Sequence, residues 1–186
     1  MIDRIIRAIS FKTEVYPEVS KDVNFTTSAW IIVAVTAFVS QFGGRALLLR
    51  VNFVGYLLAL VVGSALTVGA FALTVLVIKW LAGMLYKVEL TFGELMRPLG
   101  LAYVFQIISV LGILGALSPA LLCIVAPITL VAAIAGFIAY LFALKMVTNL
   151  GWGQIAVLVI VAWVIFLVIG GIIGAIFAVP AALAGL

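Results

Sequence analysis

Between residues 51 and 86 the chain holds a single charged side chain, Lys79. As an α-helix at ~1.5 Å per residue this run would form a rod of roughly 54 Å, against a bilayer hydrocarbon core of ~30 Å. It is barely long enough for two short crossings and a turn, and no Pro, Asn or Asp marks a turn after Asn52. The run therefore predicts one crossing, residues 55–81, with ends reaching into both interfaces. Only lipid can solvate such a surface.

The remainder of the chain has the same character. It is 68% hydrophobic and 9% charged, where a soluble domain is near half apolar and a quarter charged. Residues 27–42 form a first span near the lower limit for a crossing, broken by Gly43 and Gly44. Residues 99–117 form a third, closed by Ser118 and Pro119. In a fourth, residues 121–144, Pro127 removes a backbone donor and predicts a bend. Residues 154–179 form a fifth, ended by Pro180. The expected fold is an all-α polytopic membrane bundle. Five transmembrane helices make one domain over residues 27–186, and a cytoplasmic amphipathic segment over residues 1–26 precedes it.

Charge gives an independent check. With five crossings, one side holds Arg4, Arg7, Lys12, Lys21, Lys79, Lys87, Arg97 and Lys145, and the other only Arg45 and Arg50. Basic residues favour the cytoplasmic side. The N-terminus is thus expected in the cytoplasm, the C-terminus across the membrane, and the protein in the cytoplasmic (inner) membrane. Trp30, Trp80 and Trp152 fall at span ends on that cytoplasmic side, as an aromatic belt requires. Splitting the second span would spoil both patterns. The scattered cations form no run, which argues against nucleic acid as a partner.

The start, MIDRIIRAIS, is interrupted by charges and lacks a small-residue cleavage site, so it is not a signal peptide. Ile2, Ile5, Ile6 and Ile9 recur at helical spacing, with Asp3, Arg4 and Arg7 elsewhere on the wheel. One reading is an anchor lying in the headgroup region, its basic groups facing anionic lipid. The other is a helix packing its isoleucines on the protein's own loops.

Little in the sequence carries chemistry. Histidine is absent and Cys123 is the one cysteine, which rules out an internal disulfide and imidazole-held zinc, haem or chlorophyll. No metal or cofactor is expected. KVELTFGELMRPLG, residues 87–100, concentrates charge, but Thr91 and Glu94 match a capping box. A helix starting there meets Pro98, which lacks the amide that would bond the Glu94 carbonyl, so a kink is expected. Glu89, Glu94 and Arg97 have no nucleophile, metal ligand or phosphate-binding loop beside them. They read as cap and surface charge, and the chain as no enzyme.

The five spans contain no Asp or Glu, the usual mark of proton relays. Lys79 and Lys145 lie near span ends and can snorkel, so Lys145 suits no mid-membrane Schiff base. Tyr103, Gln106 and Ser109 give the third span polarity, and Thr129 and Tyr140 the fourth. Such groups more often bond between helices than line a path. Gly170 with Gly174, and Ala132 with Gly136, are small-xxx-small pairs that permit close helix packing. Asn24-Phe25-Thr26 is formally a glycosylation sequon, on the side where it would not be used.

MIDRIIRAISFKTEVYPEVSKD, then FVSQFGG at the end of the first span, then TFGELMRPLGLAY entering the third, resemble a bacterial member of the Yip1-domain family. The resemblance covers most of the chain. It implies a small protein with a cytoplasmic N-terminus and five spans, and no catalytic residues. The DLYGP-type cytosolic motif that goes with small GTPases in eukaryotic relatives is absent, so no GTPase partner is implied. Val104 and Phe105 follow Gly100-Leu101-Ala102-Tyr103 where the family often has proline.

Three functions remain, all with the bilayer as a partner. The lack of a reactive constellation favours a non-enzymatic scaffold or small accessory subunit, packed against other integral membrane subunits. A small-solute transporter or channel would instead require a cavity lined by Tyr103, Gln106, Ser109, Thr129 and Tyr140. A membrane-shaping or lipid-organising protein would use the amphipathic N-terminus and the long second span.

Overall fold

The computed structural model describes residues 2–44 and 53–183, with the backbone alone at 44, 115, 116, 119 and 169–183. All elements among the described residues are helical. In chain order they are α1 (Ile2–Ile9), α2 (Val15–Lys21), α3 (Phe25–Gly44), α4 (Phe53–Tyr86) and α5 (Phe92–Ala102). A 3-10 stretch (Tyr103–Leu111) follows, then α6 (Gly112–Leu117), a 3-10 turn (Pro119–Leu121), α7 (Leu122–Thr148) and α8 (Trp152–Leu183). Arg45 and Arg50 lie outside the described residues.

Four stretches are long and apolar enough to cross a membrane: Phe25–Gly43, Phe53–Tyr86, Phe92–Leu114 and Leu122–Thr148. Four of the five expected crossings thus have their counterpart here. The fifth expected crossing falls on α8, whose described side chains are apolar over Trp152–Val168. The long apolar run is one uninterrupted helix, α4, of 34 residues, or about 51 Å. Nothing inside it stops a helix, and the excess over a bilayer core must emerge at its ends.

Helix ends follow local chemistry. At the end of α4, Lys87 adopts a left-handed φ of 54°. Its amide bonds the Gly83 carbonyl, the 5→1 bond of an αL closure built without glycine, and the Val88 amide bonds that of Ala82. Asn149 ends α7 in the same left-handed region, where asparagine is better tolerated. At the start of α5, Thr91 and Glu94 form the reciprocal capping box. The Thr91 amide donates to Glu94 Oε2 at 2.7 Å, and the Glu94 amide to Thr91 Oγ1 at 3.3 Å.

α5 is the hub of the bundle. Every residue from Leu95 to Ala102 is buried, and α5 touches α1, α2, α3, α4 and α7. The helix expected to start at Thr91 therefore lies inside the protein and continues through Pro98. The oxygen that Pro98 leaves unbonded, on Glu94, accepts from the Ser20 hydroxyl at 2.9 Å. Arg97, expected as surface charge, is 8% exposed. Its Nη1 donates to the Ser20 carbonyl at 2.6 Å and its Nε to Thr26 Oγ1 at 2.8 Å. Burying a guanidinium costs less when its donors are bonded, and here a backbone and a hydroxyl oxygen each take one of them.

The N-terminal pair α1 and α2 closes this end. Arg4 bridges Glu18 at 3.1 Å and Asp22 at 2.6 Å, and Arg7 reaches Glu18 at 2.8 Å. Arg7 holds the Glu18 carboxyl low, and Arg4 does so for Asp22. The two arginines thus face α2. Ala8 is buried and Ile5 packs on the core, while Ile2, Ile6 and Ile9 are exposed. The helix divides between the two readings of its sequence. At the same end the Tyr86 hydroxyl reaches the Gln154 carbonyl at 3.4 Å, and Lys145 lies 4.0 Å over the Trp152 ring. The N-terminal segment, the 87–91 connection and the 149–151 connection therefore share one end of the bundle.

Candidate functional site

The third crossing is where the fold departs from an ordinary helix. Nine residues, Tyr103–Leu111, run as 3-10 helix, although such runs rarely exceed three or four residues and often mark functional hinges. The geometry has a chemical consequence. With three residues per turn, side chains at i and i+3 eclipse, so Tyr103, Gln106 and Ser109 stand in one row. In an α-helix the same three would fan over roughly 120°.

Backbone crowding accompanies the stretch. A Cβ on Gly43 would overlap the Ser109 carbonyl and stand 2.6 Å from Val110 Cα; one on Gly112 would stand 2.6 Å from the Gly43 carbonyl oxygen. Higher up, Gly100 packs on Ala29 and Val33. The tight small-residue crossing thus joins α3 to the third crossing. On the far side, Ala132 is buried, and a Cβ on Gly136 would come within 3.0 Å of Phe105 Cβ. That pair packs on the protein's own third crossing. Gly170 and Gly174 lie where only the backbone of α8 is described.

Between the 3-10 row and α7 lies a cavity of about 1050 Å³. Tyr103, Gln106, Ser109, Thr129 and Tyr140 all line it, joined by Ser40 from α3 and Thr74 from α4. At ~1.5 Å per residue, Tyr140 and Thr129 sit about 12 and 28 Å along α7 from Thr148, on either side of the helix midpoint. Small residues of α7, Ala126, Ala132, Ala133 and Gly136, make the space, and Phe71, Phe105, Phe137 and Trp163 frame it.

Its polar groups are of two kinds. The hydroxyls of Ser40, Thr74, Ser109 and Thr129 donate to carbonyls of their own helices, at distances between 2.5 and 3.0 Å. They therefore offer the cavity acceptor lone pairs. Tyr103, Gln106 and Tyr140 carry the donors. Among the described residues no Asp, Glu, Lys or Arg lines the wall. Among the described residues no cluster of His, Cys, Asp or Glu can hold a metal ion, and Cys123 is exposed on α7.

The other residues singled out in sequence lie elsewhere. Thr91, Glu94 and Arg97 build the α5 entrance, with Glu89 on the preceding connection. Ile2, Ile5, Ile6, Ile9, Arg4 and Arg7 belong to the α1 cap. Sequence reading named the five polar residues but missed Ser40 and Thr74, whose only signal was a hydroxyl in an apolar span. No family model matches the chain, and neither a curated protein nor a solved structure does.

Proposed function

We propose that this chain is a non-enzymatic integral membrane protein of the small-solute carrier class. Its chamber, between the third crossing and α7, takes up a small molecule inside the bilayer. The observation that carries this is the cavity itself. It is an open-sided groove of about 1050 Å³, a volume at the upper end for ligand pockets. The 3-10 stretch supplies the hinge on which such a chamber would open and close.

Five crossings, an N-terminus in the cytoplasm and residence in a bacterial inner membrane complete the proposal. The eight-to-two distribution of basic residues and the Yip1-like sequence blocks support it. The accessory-subunit reading rests on outward apolar faces such as Leu66 and Leu73 of α4; lipid requires the same faces.

Native mass spectrometry of the protein in a mild detergent tests the proposal. Wild type should carry a one-to-one small-molecule adduct. Ala133→Trp, which places a bulky ring in the chamber, should weaken it, and the outward control Ile124→Trp should keep it. Adduct-free wild type migrating with a stoichiometric larger protein would favour the accessory subunit instead.

A further inference from the structure

We infer that the chamber's ligand is an uncharged amphiphile, a lipid-like molecule with a hydroxyl or carbonyl head and a hydrocarbon or prenyl chain, which enters sideways from the bilayer. This deepens the proposed function and rests on it.

The head is identified by what the wall lacks. With no ionic residue among its described lining, a phosphate, carboxylate or ammonium held against these side chains would be desolvated without a counter-charge, at a cost no neutral hydrogen bond offsets. A neutral head fits better. Gln106 and Tyr140 can each donate to it, and the row of hydroxyl oxygens can accept from it.

The tail and the route follow from the rim. Leu130, Ile134, Phe137 and Trp163 line the cavity and are also 62%, 52%, 42% and 62% exposed. They stand on the outer surface of membrane helices, so the mouth they form meets acyl chains. The alanine and glycine groove of α7 behind them has the smooth apolar wall along which a chain can lie. α8 spans the rim at one point, where Trp163 and Phe137 meet with ring centroids 6.0 Å apart.

The test uses three diazirine-tailed probes of equal chain length, a fatty alcohol, a fatty acid and an alkyl trimethylammonium, photolysed with the full-length protein in nanodiscs. Cross-linked residues are mapped by peptide mass spectrometry. The alcohol should label Ala126 and Ala133. That labelling should fall about tenfold in Gln106→Leu/Tyr140→Phe, as expected for two neutral hydrogen bonds. The charged probes should label outward positions such as Ile124 alone. Equal chamber labelling by all three probes, or labelling insensitive to the double variant, overturns the inference. A parallel measurement separates its failure from that of the carrier reading. If a water-soluble thiol reagent modifies Thr129→Cys in a Cys123→Ser background while no lipid probe reaches the chamber, the ligand is a hydrophilic solute and the lipid inference falls alone. If neither probe class reaches it, both readings fall.

Discussion

The Ser20 hydroxyl donates to the Glu94 carbonyl oxygen at 2.9 Å, the acceptor that Pro98 deprives of its helical partner. A defect in α5 thus becomes its attachment to α2. Removing the hydroxyl leaves a partly buried carbonyl without this partner, at a cost of about 1 kcal/mol. Ser20→Ala should therefore lower thermal stability in detergent. In a Pro98→Ala background the helix regains its own amide for Glu94, and the same substitution should cost measurably less. A double-mutant cycle reads the coupling, expected at about 0.5 kcal/mol or more.

Arg97 holds the other side of Ser20. Arg97→Met keeps most of the side chain's volume but strands the Ser20 carbonyl and Thr26. A loss of about 2–4 kcal/mol follows from two hydrogen bonds made by a charged donor, and α1–α2 should become the first segment to exchange amide hydrogens. Unchanged exchange across residues 2–21 would show that Arg97 does not anchor the cap.

The cap should also respond to acid. Arg7 and Arg4 depress the carboxyl groups of Glu18 and Asp22. A depressed carboxylate contributes stability above its ordinary titration range and loses it as pH falls through its folded value. Limited proteolysis at Arg7 should accelerate below about pH 4. Glu18→Gln should show the faster cleavage already at neutral pH.

Tyr16 is 1% exposed, and its hydroxyl is the buried side-chain polar atom without a hydrogen-bond partner among the described residues. Burial pushes its phenol up to about 12. The raised value means the neutral form is favoured on folding, so stability is intact below pH 10 and declines as pH rises toward 12. Tyr16→Phe should be neutral or stabilising by up to ~1 kcal/mol at pH 7 and should flatten the alkaline decline. Denaturation midpoints across pH 7–11 check both.

Much of the fold was legible because hydropathy and helix chemistry are local. The continuous α4, the Thr91–Glu94 box and the packing role of Ala132 and Gly136 follow from residues within a few positions of one another. The expectations that changed all depended on tertiary partners. Arg97 looks like surface charge until Ser20 and Thr26, more than seventy residues away, accept from its guanidinium. Gly43 reads as a helix breaker, yet α3 runs through it to meet the backbone of Ser109. Tyr103, Gln106 and Ser109 were visible as polar residues in an apolar span. Nothing in their spacing distinguishes an α-helix that fans them from a 3-10 helix that aligns them, because crowding against α3 accompanies the choice and propensity does not encode it.

The most direct measurement is a side-chain-resolved cryo-EM map of the protein in lipid nanodiscs. Tyr103, Gln106 and Ser109 should stand in one row along a 3-10 stretch, facing α7 across an open chamber that holds an elongated density. A regular α-helix through residues 103–111, with the three side chains fanned apart and α7 packed against it without a gap, would contradict both the chamber and the function proposed for it.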